Sequence, residues 1–256
     1  MKLNAMSAFD CKGQRVLITG GGTGLGYAMA ECLTEAGAQV IIVGRREEVL
    51  KKAASRLGNR AVYRTFDVTD IASAESLIKS IEKDIGTVTT LINNAGHIFK
   101  AAFEHTPVDE FEQLIKTHAT GPFVLSKAVV PSMKRAGKGH ILFTASMAAI
   151  FGLPQVIGYA AAKSALLGMV RSMAAELSPD GIRVNAIAPG WIHSELLEKT
   201  VEADPERKRK VLSRTPMGEF GDAEDIGWAA VYLCSRAAGF VTGVCLPVDG
   251  GIAIGF

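Results

Sequence analysis

Short apolar runs alternate with helix-like segments along almost the whole chain, and no other feature limits the fold as much. Arg15–Thr19, Gln39–Val43, Ala61–Phe66, Thr90–Asn93, Ile182–Ile187 and Val244–Val248 read as strands, and the run His140–Ser146 as a strand with its exit loop. Helical periodicity marks Gly24–Ala36, Glu47–Leu57, Asp70–Ile85, Asp109–Arg135, Gly158–Leu177 and Ala223–Ser235. This order predicts an α/β fold, a doubly wound parallel sheet of about seven strands with helices on both faces. The 256 residues suffice for one large core, and no linker, repeat or low-complexity stretch divides them. A single domain over 1–256 is therefore expected. Pro122 and Pro131 should kink or end the Asp109–Arg135 helix. The polar stretch from Trp191 to Pro216 is too long for a simple connection and reads as a substrate lid.

Bulk properties exclude several classes. A net charge of +2 argues against nucleic acid or an anionic membrane as the main partner. Cys11, Cys32, Cys234 and Cys245 are scattered, which suits reduced thiols rather than a disulfide framework. The first ten residues carry no apolar core of signal-peptide length, and no stretch reaches the ~20 apolar residues of a membrane span. A soluble, cytoplasmic protein is expected. The five histidines form no HExxH motif and no Cys/His cluster of zinc spacing, so no metal is expected.

The first strand runs into Thr19-Gly20-Gly21-Gly22-Thr23-Gly24-Leu25-Gly26. Glycines let the backbone turn sharply and approach a ligand, and the helix that follows aims free N–H groups and its positive dipole end at the same place. Thr19, Gly20, Gly22, Thr23, Gly24, Leu25 and Gly26 are thus expected to form a pyrophosphate site in a Rossmann-type fold. The spacing is Gly20-x-x-x-Gly24-x-Gly26 rather than GxGxxG. After the second strand the chain reads Val43-Gly44-Arg45-Arg46, with no carboxylate before Glu47. A carboxylate there would suit the 2′-hydroxyl of NAD, and a guanidinium suits the 2′-phosphate of NADP. NADP is the expected cofactor, with Arg45 as the main phosphate ligand and Arg46 or Thr23 in support.

Tyr159 and Lys163 stand four residues apart on a predicted helix, with Ser146 at the exit of the fifth strand. At that spacing the Lys163 ammonium lies beneath the Tyr159 ring. A cation so placed favours the phenolate, which predicts a lowered tyrosine pKa and a phenol usable as a proton donor or acceptor near neutrality.

These motifs, in this order, resemble the short-chain dehydrogenases/reductases over nearly the whole chain, from Thr19-Gly20 to Asp249-Gly250-Gly251. Asp67, the run Asn93-Asn94-Ala95-Gly96, Asn185 and the turn Pro189-Gly190 add to the match. The resemblance implies that Asp67 and Val68 hold the adenine. It implies that Asn94, Ala95 and Gly96 line the cofactor ribose, that Pro189, Gly190 and Ile192 face the nicotinamide, and that Ser194 lies near its amide or the phosphate. Tyr159 would be the proton donor or base, Lys163 would bind the nicotinamide ribose, and Ser146 would hold the substrate oxygen. The family's usual asparagine in the middle helix is here His118. Two readings follow: His118 relays protons in its place, or the backbone carbonyl does the work whatever the side chain.

For the substrate, strand ends and the lid supply His97, Ile98, Met147, Ile150, Phe151, Gln155, Trp191, His193, Leu196 and Leu197. The run Glu206-Arg207-Lys208-Arg209-Lys210 would attract an anion, or is a solvated helix face. The chain looks most like the family's bacterial sugar-acid and polyol members, such as gluconate 5-dehydrogenase. It would then interconvert a secondary alcohol and a ketone with NADP. The 3-oxoacyl carrier-protein reductases share the motifs and are the alternative, together with a catalytically silent NADP-binding protein. An isomerase or dehydratase fits less well. Relatives imply a homotetramer, with the Gly251–Phe256 tail at a subunit contact or folded onto its own subunit.

Overall fold

The computed structural model describes residues 5–193 and 205–254. After one helical turn, α1 (Ala5–Ala8), strand and helix alternate: β1 (Arg15–Thr19), α2 (Gly24–Glu35), β2 (Gln39–Gly44), α3 (Glu47–Leu57), β3 (Ala61–Thr65), α4 (Ala74–Asp84) and β4 (Thr90–Asn93). There follow α5 (Val108–Ile115), α6 (Gly121–Ala136), β5 (Gly139–Thr144), α7 (Ile157–Leu177), β6 (Ile182–Pro189), α8 (Pro205–Leu212), α9 (Ala223–Cys234) and β7 (Cys245–Val248). The seven strands form one sheet in the order β3-β2-β1-β4-β5-β6-β7. Every pairing is parallel.

Side chains alternate across the sheet, so one strand feeds two cores. Leu17, Ile41, Leu91, Phe143 and Val184 face the layer of α4, α6 and α7, where Ile78, Val129, Leu166 and Val170 meet them. Val16, Ile18, Val40, Ile42 and Leu142 face α2, α3 and α9, against Met29, Leu33, Leu50, Ile226 and Val231. Both faces of the central strands are dry, which explains why they read as continuous apolar runs. Helices α2 and α9 cross closely, because a methyl at Gly227 would stand 2.4 Å from Cys32 Sγ.

The expected Asp109–Arg135 helix is two helices joined by a π-turn, Lys116–Thr120. The Gly121 N–H reaches back five residues to the Lys116 carbonyl. Pro122 sits in the first turn of α6, where its missing N–H is tolerated. Pro131 neither ends nor divides α6, which runs on to Ala136 and closes on left-handed Gly137. Gly121 has its own reason: a Cβ there would lie 2.4 Å from the Val68 carbonyl oxygen, so α6 starts hard against the loop after β3. Further along, Asn93 Nδ2 donates to Ser126 Oγ over 3.2 Å, tying α6 to the end of β4.

The chain past β6 differs in part from the simple lid expected. Ile192 bridges to Gly221 and the His193 N–H donates to the Gly221 carbonyl, so the stretch re-enters the structure beside α9. Residues 194–204 lie outside the described residues. In the tail, Ile252 is buried on the chain's own core and Ile254 is exposed. Gly255 and Phe256 lie outside the described residues. No helix among the described residues is long and apolar enough to cross a membrane.

His140, near the amino end of β5, sits on the side of the sheet away from the strand carboxyl ends. Its Nδ1 is buried with no hydrogen-bond partner among the described residues. Burial, then nearby Arg183 and Lys138, press its pKa down to about 3. An unfolded histidine titrates near 6.5, so between about pH 6.5 and about pH 3 the unfolded chain binds a proton that the folded chain does not. Stability from neutral His140 is complete above that window and is lost as pH falls through it, by about 2 kcal/mol at pH ~5. His140→Leu is expected to shrink the drop in melting temperature between about pH 7.5 and about pH 5 seen by calorimetry. An unchanged drop would count against the assignment.

Candidate active site

The strand order reverses between β1 and β4, so their following loops part and leave a crevice at the carboxyl ends. A cleft of ≈ 510 Å³ occupies it. Gly20, Gly22, Thr23 and Leu25 line it from the first turn, Arg45 and Arg46 from the end of β2, and Asp67 and Val68 from the end of β3. Asn94, Ala95, Gly96, His97 and Ile98 line it after β4, with His118 from the π-turn and Tyr159 and Lys163 from α7. Thus the glycine turn and the arginine pair share one cavity with the tyrosine–lysine pair, which lies more than 100 residues further along the sequence.

The floor is built by Thr19. Its side chain is buried, and its Oγ1 accepts the backbone N–H of Asn94 over 2.9 Å and of Ala95 over 3.0 Å. Asn94 Nδ2 donates back to the Thr19 carbonyl over 3.1 Å. The turn itself requires glycine: Gly20 and Gly24 have φ of 67° and 53°. At Gly26 a Cβ would stand 2.3 Å from the Gly20 carbonyl oxygen. Thr23 places no side-chain hydrogen bond on the first turn of α2, leaving those N–H groups directed at the cleft.

Asp67 is held by the Thr69 N–H and hydroxyl, at 2.9 and 2.8 Å. Burial pushes its carboxyl up. The Thr69 bonds, with Arg45 and Lys116 nearby, outweigh that and keep it below the usual range. Arg45 therefore already faces a carboxylate across this end of the cleft.

At the other end, Ser146 stands beside Tyr159, and its Oγ accepts the Ala148 N–H over 3.1 Å. Lys163 is buried, with Nζ 5.5 Å from the Tyr159 ring centroid and donating to the Thr144 carbonyl over 2.5 Å. The expected lowering of the phenol pKa is not what this geometry produces. Burial raises Tyr159, and only Ser146 opposes it. Burial also brings Lys163 down to about 7, so the amine is only partly charged near neutrality and its pull on the phenol is weak.

His118 is buried against this pair, its ring edge-on to Tyr159 at 5.3 Å between centroids. Nε2 lies 2.7 Å from the His97 carbonyl oxygen and 3.2 Å from the His97 backbone nitrogen, so it donates to the first or accepts from the second according to the tautomer. Nδ1 is buried with no partner among the described residues. Burial first, then Lys163, holds the pKa at about 3. His118 is therefore neutral near pH ~7. Pro122, four residues on, has no N–H to offer the His118 carbonyl.

Other sequence-predicted residues lie elsewhere. Pro189 ends β6, a methyl on Gly190 would stand 2.6 Å from Asp249 Cα, and Ile192 pairs with Gly221. Of the substrate candidates, His97 and Ile98 line the cleft. Met147 is buried in the core, with Phe151 and Trp191 packed on it. Ile150 is exposed. Gln155 holds the unusual φ of 66° and its carbonyl accepts the Ala101 N–H. His193 stands edge-on to Phe220 at 5.4 Å. Ser194, Leu196 and Leu197 lie outside the described residues. Asn185 bonds the backbone at Val241 and Val244, joining β6 to the approach to β7. Sequence reading missed Gln113 and Thr117, which line the cleft beside His118. Their spacing of four on the helix that carries His118 was the available signal.

Comparison with known proteins agrees with this architecture. The model of the family described as "Enoyl-(Acyl carrier protein) reductase" matches residues 20–253. Gluconate 5-dehydrogenase of Gluconobacter oxydans is 35% identical over 249 residues, covering 96% of this chain and 97% of that protein. 5-Keto-D-gluconate 5-reductase of Escherichia coli K12 is also 35% identical, covering 96% and 98%. A crystal structure of a gluconate 5-dehydrogenase from Burkholderia cenocepacia, in complex with NADP and tartrate, superposes with a TM-score of 0.94 at 33% identity, covering 99% of this chain and 100% of that one. The chain belongs to the short-chain dehydrogenase/reductase family of oxidoreductases.

Thr19→Val keeps the shape of the floor and removes its acceptor, stranding the N–H groups of Asn94 and Ala95. The expected cost is about 2–4 kcal/mol of stability in denaturant melts, with dinucleotide binding weakened in parallel. A loss below ~0.5 kcal/mol would mean that those N–H groups find other partners.

Proposed function

We propose that this chain is an NADP-dependent oxidoreductase that interconverts a secondary alcohol and a ketone on a sugar, sugar acid or polyol. The observation that carries the reading is one cleft with Arg45 and Arg46 at one end and Tyr159 and Lys163, with Ser146 beside Tyr159, at the other.

The residues present fit a dinucleotide. The first turn of α2 offers uncapped N–H groups, and Gly20 and Gly22 leave room for close approach. Gly20, Gly22, Thr23 and Leu25 would hold the pyrophosphate, Arg45 with Arg46 the 2′-phosphate, and Asp67 and Val68 the adenine. Asn94, Ala95, Gly96 and Lys163 would hold the nicotinamide ribose, with Pro189, Gly190, Ile192 and Ser194 beyond it. When bound, the nicotinamide supplies or takes the hydride. Ser146 and the Tyr159 hydroxyl hold the substrate oxygen. Tyr159 gives a proton to that oxygen in reduction and takes one in oxidation. Lys163 steadies the charge that this exchange leaves on the phenol.

Three further points belong to the same reading. The relatives named for gluconate and keto-gluconate favour a sugar-acid substrate. Exposed Lys208, Arg209 and Lys210 on α8 suit an anionic one. Exposed Phe103, Val108, Phe123 and Ile157, on and beside α5, α6 and α7, suit self-association as a homotetramer, and the location is taken as cytoplasmic.

The test is NADPH oxidation with keto-sugar acids, ketoses and β-ketoacyl thioesters. Turnover is expected with the keto-sugar acids and should fall about 10²–10⁴-fold in Tyr159→Phe. Arg45→Ala is expected to weaken NADPH at least ~10-fold more than NADH, about 1.4 kcal/mol. Equal losses for the two cofactors would remove the basis for NADP. Tight NADPH binding without turnover on any substrate would favour a silent binding protein.

A further inference from the structure

The Tyr159–Lys163 pair and His118 line the same cleft, where the ring of His118 packs against the edge of the pair. That ring leaves no gap behind it: a methyl built on Gly96 would lie 2.0 Å from its Cε1, so the imidazole rests directly on the Gly96 backbone. Its Nε2 lies 2.7 Å from the His97 carbonyl oxygen, and the ring is 2% exposed. Its edge meets the Tyr159 ring at 89° and 5.3 Å. We propose that His118 is a positioning residue for this pair, a solvent-excluding wall that acts through dryness and not through charge.

The groups facing the pair come from four places. Ser146, after β5, stands beside the phenol and favours its ionised form. The Thr144 carbonyl, ending β5, takes the Lys163 ammonium. His118 comes from the π-turn, and His97, after β4, has its ring 6.0 Å from that of His118. Burial is the leading cause of the raised phenol and of the lowered amine. Burial likewise keeps His118 uncharged, with a pKa of about 3. A neutral ring exerts no net Coulomb pull, so what it contributes is the exclusion of water. Letting water in would favour the phenolate and the ammonium together, and each charge would stabilise the other.

The consequence for catalysis rests on the function proposed above, but the titration does not, so the experiment uses the unliganded full chain. Tyrosinate absorbance is followed against pH, with Tyr159→Phe as the reference that isolates this one phenol. His118→Ala opens the wall and is expected to move the Tyr159 ionisation down by about one pH unit or more. Acylation of Lys163, read by mass spectrometry across pH, should shift upward in the same variant. His118→Phe keeps the wall without the polar atoms and is expected to titrate within ~0.3 unit of the parent. Should His118→Ala fail to fold, His118→Asn leaves a smaller opening, and a partial shift in the same direction is expected. Parental titration in folded His118→Ala or His118→Asn would overturn the proposal. So would a shift in His118→Phe as large as in the alanine variant, since that would assign the effect to the imidazole nitrogens. A shifted titration with no ketone reduction in the parent protein would leave the wall standing and remove the proposed function instead.

Discussion

The reversal of strand order between β1 and β4 governs the rest of this molecule. On either side of it, helices cross to opposite faces of the sheet, so nothing covers the gap between the two strand ends. An open gap between parallel strands is a weak point unless something spans it. Thr19 does, with one hydroxyl serving two backbone N–H groups of the neighbouring loop. That single side chain makes the crevice a fixed floor, and it permits the loop Asn94–His97 to stand where the phenol and amine of α7 can meet a ligand.

The chemistry of the far end is set by water more than by neighbouring charges. A tyrosine and a lysine one helical turn apart suggest mutual electrostatic help. In the folded chain Lys163 is buried and Tyr159 partly so, and burial favours the uncharged form of each. The Ser146 hydroxyl is the group that opposes this for the phenol. A ligand arriving with hydroxyls and phosphates changes that balance, because it brings polar partners to an amine that has one carbonyl for company. Charge on the pair is then a property of the loaded cleft.

Much of this was legible in the sequence. The seven strands, their parallel order and the glycine turn followed from residue spacing, because strands buried on both faces leave a signal that little else imitates. The arginines after β2 could be named because strand ends are where such sites form, while Asp67 and Val68 after β3 and Asn94, Ala95 and Gly96 after β4 came from the family resemblance. What escaped the sequence depended on packing in three dimensions. No periodicity announces that five residues before Pro122 wind as a π-turn, since proline marks a break without saying how the chain repairs it. Met147 and Phe151 looked like pocket residues by position, but the short turn that Ser146 starts folds the first inward and packs the second on the core. The sense of the pKa shifts was also hidden, because burial is set by elements distant in sequence.

The π-turn has a geometric consequence for the whole second half of the sheet. Each residue of an ordinary helix advances its successors by about 100° around the axis. A stretch wound with one residue more per turn therefore fixes which side of α6 confronts β4 and β5. Were one position between 116 and 120 deleted, the helix could straighten into continuous α form, but Ser126 would swing away from Asn93 and Gly121 would no longer be the residue facing the Val68 carbonyl. The count of residues in that stretch thus acts as a gear setting for the helix beyond it, largely independent of which amino acids fill the count.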